Sequence, residues 1–81
     1  MTEHDVVVYV SDNNKQCLKV IELIEAYNVP YKVKNVSRER GYMKELQNKG
    51  IFGTPATFIK GEKRAILGYQ KEKIRSALYS V

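Results

Sequence analysis

The apolar run Val6-Val7-Val8-Tyr9-Val10 gives way to Cys17, Val20, Ile21, Ile24 and Tyr27, spaced by three or four. This change of period constrains the chain more than any other feature. A short valine-rich run reads as a buried strand, over residues 5–10. The spaced series is one face of a helix. Leu18 and Leu23 widen that face, so the helix is expected to be well buried, and Asn28 and Pro30 end it. Residues 31–36 alternate tyrosine and valines with lysines and an asparagine, which predicts a second strand with one wetter face. Two strands joined through a helix pair in parallel, by a right-handed crossover.

Ser37 is expected to cap a second helix, with Glu39 in a first turn where negative charge suits the helix dipole. Tyr42, Met43 and Leu46 supply its apolar side, and Gly50 closes it in a left-handed cap. Gly41 inside this helix costs about 1 kcal/mol against alanine, which loosens its first turn. Residues 56–60 and 63–67 read as two short strands around Gly61-Glu62, where a glycine first in the loop suits a type II′ turn. Gly68 breaks the second of these strands. Residues 70–78 form a last helix with Ile74, Ala77 and Leu78 inward. The order β-α-β-α-β-β-α predicts an α/β fold, a four-stranded mixed sheet with helices on both faces. A chain of 81 residues has room for one modest core, so a single domain over 1–81 is expected.

The formal net charge is +5. The lysines and arginines are spread along the chain with acidic residues among them, which describes a solvated surface better than a nucleic-acid stripe. The run at residues 6–10 is far too short for a bilayer span, and the acidic, polar start Met1-Thr2-Glu3-His4-Asp5 is unlike an export signal. A cytoplasmic protein without a membrane partner, and a monomer, is the expectation. One cysteine excludes an internal disulfide, and with His4 distant and solvated it makes no zinc site. No phosphate loop and no Ser-His-Asp set can be assembled.

The chemistry-bearing segment is Ser11-Asp12-Asn13-Asn14-Lys15-Gln16-Cys17. A helix N-terminus beside Lys15 is a setting in which thiols become reactive. The apolar face that Cys17 shares with Val20 and Ile24 is one in which a cysteine acts as a small, inert hydrophobe. Both readings of Cys17 stand. Asn14 reads as an N-cap worth about 1 kcal/mol over alanine, with Asn13 or Asp12 in that role if the helix starts earlier. A functional reading has Asn14 holding the backbone of a substrate.

With Tyr9 ahead of Asn14-Lys15-Gln16-Cys17, Gly53-Thr54-Pro55 ahead of the hairpin, and Gly68-Tyr69-Gln70-Lys71-Glu72-Lys73-Ile74 after it, the chain resembles the glutaredoxins. Within them it looks most like the NrdH redoxins, which have the thioredoxin fold. The resemblance implies a nucleophilic cysteine five residues after the tyrosine and a resolving cysteine three further on. It therefore puts Asn14 in the nucleophile's place and Cys17 in the resolving place. It also implies a cis-proline at Pro55, with Thr54 turning its backbone toward an extended peptide or glutathione, and Gly68 and Tyr69 bordering the same substrate cleft. Glutaredoxins often show Thr-Val-Pro where this chain has Gly53-Thr54-Pro55, and Gly-Gly with an acidic residue where it has Gly68-Tyr69-Gln70. Glutathione is thus not supported by the motif. An iron–sulfur cluster, which depends on the missing cysteine, is not expected either. No cofactor is assigned.

The function implied is that of a thiol–disulfide oxidoreductase-family protein acting on a protein or a small thiol or disulfide. A carboxamide cannot become a thiolate, so dithiol activity is expected to be weak or absent. The alternative is a non-catalytic thioredoxin-fold module that binds a peptide or protein partner. Whether the chain is an enzyme stays open at this level.

Overall fold

A computed structural model describes residues 5–62 and 64–79. The chain runs β1 (Val6–Val10), α1 (Lys15–Ala26), β2 (Tyr31–Asn35), α2 (Arg40–Asn48), β3 (Ala56–Ile59), β4 (Ile66–Leu67) and α3 (Lys71–Tyr79). The four strands form one sheet in the order β2-β1-β3-β4. β1 is parallel to β2, with Val8 opposite Val33, and antiparallel to β3, with Val8 opposite Thr57. The element order and the mixed sheet match the sequence expectation. His4, and Lys63 where the last strand was expected to start, lie outside the described residues.

Strand side chains alternate between faces, and the alternation divides the interior in two. Val6, Val8 and Val10 join Cys17, Val20 and Ile24 of α1 and Ile74, Ala77 and Leu78 of α3. Tyr9 and Ala56 point the other way, to Leu46 of α2, with half-buried Tyr42, Met43 and Phe58 around them. Helices therefore cover both faces. Each fully buried aliphatic side chain is worth about 1.5–3 kcal/mol of burial before entropy is counted. Thr57 is fully buried, and its hydroxyl has no hydrogen-bond partner among the described residues.

The helix ends follow local chemistry. α1 stops where Asn28 takes a left-handed φ of 56°. α2 closes on Gly50 at φ 80°. Gly50 N–H donates to Gln47 O at 2.9 Å and Ile51 N–H to Leu46 O at 3.2 Å. This is the Schellman pattern, and Ile51 packs in the same cluster as Leu46, the apolar contact that accompanies it.

Four local expectations are corrected. The cap of α2 is Glu39, whose side chain accepts from Gly41 N–H, and not Ser37. Ser37 Oγ instead accepts from Asp12 N–H at 3.0 Å. Leu18 does not widen the buried stripe of α1, because it is 64% exposed beside the edge strand β2. The hairpin turn is Ile59–Glu62, closed by Glu62 N–H donating to Ile59 O at 2.9 Å, with Gly61 third in the turn at φ 93°. A glycine with positive φ in that position suits type II, not type II′. Type II turns splay the flanking strands, and among the described residues β3 and β4 pair where Ile66 and Leu67 meet Thr57 and Ala56. The last strand is accordingly shorter than expected.

Candidate functional site

The loop from β1 to α1 is shaped by its polar residues. Asn13 takes a left-handed φ of 56°, a conformation asparagine tolerates better than most residues. Asn14 follows in extended geometry as the N-cap of α1. Its Oδ1 accepts from Gln16 N–H at 3.0 Å and from Cys17 N–H at 3.3 Å. These are backbone donors that a helix start otherwise leaves unpaired. Its Nδ2 points the other way and donates to Thr54 O at 3.4 Å. A second tie runs beside it, a hydrogen bond of 2.7 Å between Ser11 Oγ and Thr54 Oγ1.

The Thr54–Pro55 peptide bond is cis. Pro55 O accepts from Gly68 N–H at 2.8 Å, which brings the β4–α3 loop against the proline. Gly68 has φ 74°, and a Cβ there would sit 3.5 Å from Gln16 Oε1. Asn14, Thr54, Pro55 and Gly68 therefore converge. Cys17 lies beneath this convergence, 2% exposed and packed with Val20 and Ile24.

Tyr69 is not turned to the same mouth. Its ring packs on the core and faces α1, with Lys19 Nζ 5.7 Å from the ring centroid. Tyr9 is also elsewhere, buried on the α2 face with its hydroxyl donating to Glu45 Oε1 at 2.7 Å. Burial first, and that hydrogen bond second, hold its phenol above the ordinary value. Sequence reasoning missed Ser11 and Gln16 as members of the site. Ser11 carried a signal, as a small polar residue directly after the apolar run. Gln16 carried none, because its neighbour Gly68 is far away along the chain. Among the described residues, no group of His, Cys, Asp and Glu is placed to hold a metal ion.

What these parts make is first a class, a small thioredoxin-fold protein with a proline loop facing the start of its first helix. The comparisons then fix the family. Residues 6–63 match the model of the Glutaredoxin family, and the chain belongs to that family. The chain is similar to the crystal structure of the thioredoxin-like protein BC3987, with 25% identity, a TM-score of 0.80, and coverage of 89% of this chain and 97% of that one. It shares the fold of a glutaredoxin from Archaeoglobus fulgidus at 17% identity and a TM-score of 0.77, covering 93% of this chain and 86% of that one. It also shares the fold of the NrdH-redoxin from Escherichia coli at 17% identity and a TM-score of 0.74, covering 88% and 91% of the two chains. No curated protein matches it significantly.

Proposed function

We propose that this chain is a glutaredoxin-family thiol protein that keeps a substrate-facing frame and has lost its dithiol cycle. The observation that carries this reading is the position of the Asn14 carboxamide. It spans the start of α1 and the Thr54 carbonyl, above a Cys17 that is 2% exposed. A dithiol cycle needs one thiolate to attack a substrate disulfide and expel a thiolate, and a second to break the mixed disulfide by closing an internal one. Asn14 in the attacking place supplies no sulfur, and Cys17 in the resolving place has no internal partner. Thr54, Pro55 and Gly68 are the substrate-facing residues, and Tyr69 supports their loop from the α1 side. Asn14 Nδ2 takes up part of the carbonyl edge that an extended substrate would use. The partner is a protein or a small thiol or disulfide, without a bound cofactor, and a lone reduced thiol suits the cytoplasm. No helix among the described residues is long and apolar enough to cross a membrane.

The test is a disulfide-reduction assay with an external thiol donor, run on the unmodified chain and on Asn14→Cys. The unmodified chain is expected to stay near background and Asn14→Cys to turn over. Robust turnover by the unmodified chain would refute the reading. The burial of Cys17 among aliphatic side chains also favours a second reading, a peptide-binding module in which the thiol has no chemical part. It predicts that Cys17→Ala leaves partner binding intact.

A further inference from the structure

β2 is one of the two edge strands of the sheet, with β1 on one side and, among the described residues, no strand on the other. Val6 N–H donates to Pro30 O at 3.3 Å and Val36 N–H to Val10 O at 2.8 Å. These bonds fix the phase of the strand. The backbone groups of Lys32 and Lys34 turn toward β1, and those of Tyr31 and Val33 turn outward. The side chains alternate across the faces. Tyr31 packs on the α1–α3 core, so Val33 lies on that face. Lys32 shares the α2 face with Lys34, which is already engaged by Glu45.

Beside Val33, the flank of α1 is apolar and open. Leu18 is 64% exposed and Val33 38% exposed. Together with Ile21 they line a groove of about 690 Å³, with Lys15 and Arg38 on its rim. The rim carboxylate, Asp12, is already held by Asn35 Nδ2 at 3.0 Å and Arg38 Nε at 3.3 Å. Among the described residues, no carboxylate pairs with Lys15 or Lys32. Ser11, Asn14 and Cys17 line its inner end, while Thr54, Pro55 and Gly68 do not line it, so the groove runs from the start of α1 away from the proline loop.

We propose that this edge docks an extended segment of a partner protein in which an apolar residue is flanked by acidic ones. The pleat dictates that alternation. A residue opposite Val33 sends its side chain to the same face, over Leu18 and Ile21. Its neighbours point to the other face, where Lys32 stands. The backbone of the segment pairs with the outward groups of Tyr31 and Val33, as in strand addition. A second copy of this chain is a poor occupant. Edge-to-edge pairing would set Lys32 and Lys34 against their own counterparts, and like charges directly opposite destabilise a sheet.

The experiment titrates the ¹⁵N-labelled chain with the peptide acetyl-Glu-Leu-Glu-Val-Glu-amide and with its counterpart carrying lysine for each glutamate. The expected result is saturable amide shifts grouped at Leu18, Tyr31 and Val33, with the lysine peptide at least about tenfold weaker. Leu18→Glu, an exposed position, is expected to weaken the acidic peptide by about tenfold or more with an unchanged melting temperature. Shifts centred on Thr54 and Gly68, equal binding of the two peptides, or no saturation at millimolar peptide would each overturn the proposal. So would self-association through β2, or binding of anionic vesicles in place of the peptide.

Discussion

On the α1–α3 side of the sheet, the valines of β1 meet aliphatic side chains and the Cys17 thiol, and among the described residues no charged side chain is buried there, with Arg75 Nε donating to Tyr27 Oη at 3.0 Å at the margin. On the α2 side the same strands present Tyr9 and Lys34 to a helix that buries only Leu46 completely. One carboxylate oxygen, Glu45 Oε1, accepts from Tyr9 Oη and from Lys34 Nζ, each at 2.7 Å. The Lys34 ammonium also lies 5.4 Å from the Tyr9 ring and 5.3 Å from the Tyr42 ring. The first face gains its stability from contact area, which is tolerant of direction. The second, with a short helix and little area, is fixed by directional bonds joining β1, β2 and α2.

Substitutions can break or sharpen this contrast. The largest effect is expected at Ile74, fully buried on the apolar face: Ile74→Ala should cost about 2–5 kcal/mol. A urea midpoint that falls with an unchanged slope would show it. Next comes Thr57, on the same face but polar. Thr57→Val removes a hydroxyl without a partner among the described residues and should stabilise by about 1 kcal/mol or more, read as a rise in melting temperature. A loss of stability there would mean that the hydroxyl is satisfied.

The smallest effect belongs to the pinned face. The Glu45 side chain is 42% exposed, so Glu45→Gln should cost only about 1 kcal/mol. If it costs as much as Ile74→Ala, the contrast between the faces fails. Its pH dependence is more telling than its size. The hydrogen bonds from Lys34 first, and Tyr9 second, hold the Glu45 carboxyl below its usual range. That contribution is complete above the unfolded carboxylate range and is lost as pH falls through the lowered folded value. Lys34, raised chiefly by its bond to Glu45, contributes fully below the unfolded lysine range and loses that contribution as pH rises through the folded value. Stability against pH should therefore fall less steeply in acid for Glu45→Gln than for the unmodified chain.

Much of the framework was legible because period reports burial. The valines of β1 and the spacing from Cys17 to Ile24 gave strand and helix in the correct order, and Asn14 was legible as a cap from its type and place. Leu18 was misjudged because periodicity measures which side of a helix is apolar, not whether the sheet extends beneath it. At the start of α2, Ser37 and Glu39 both had the chemistry of a cap, and the choice was made by backbone geometry two residues on. The pairing of β4 depended on which residue of the turn carried positive φ. The tie between Asn14 and Thr54 spans 40 residues along the chain, and no local pattern announces it.

Asn14 makes three hydrogen bonds through one side chain, two to the start of α1 and one to the loop before Pro55. A single codon's worth of change separates this state from a thiol pair in principle. A cysteine side chain there would not reproduce all three bonds, so on the reading proposed above a return to dithiol chemistry would loosen the loop and weaken the helix start. At this junction, firmness and a thiol are alternatives, because one side chain cannot supply both the three hydrogen bonds and a sulfur.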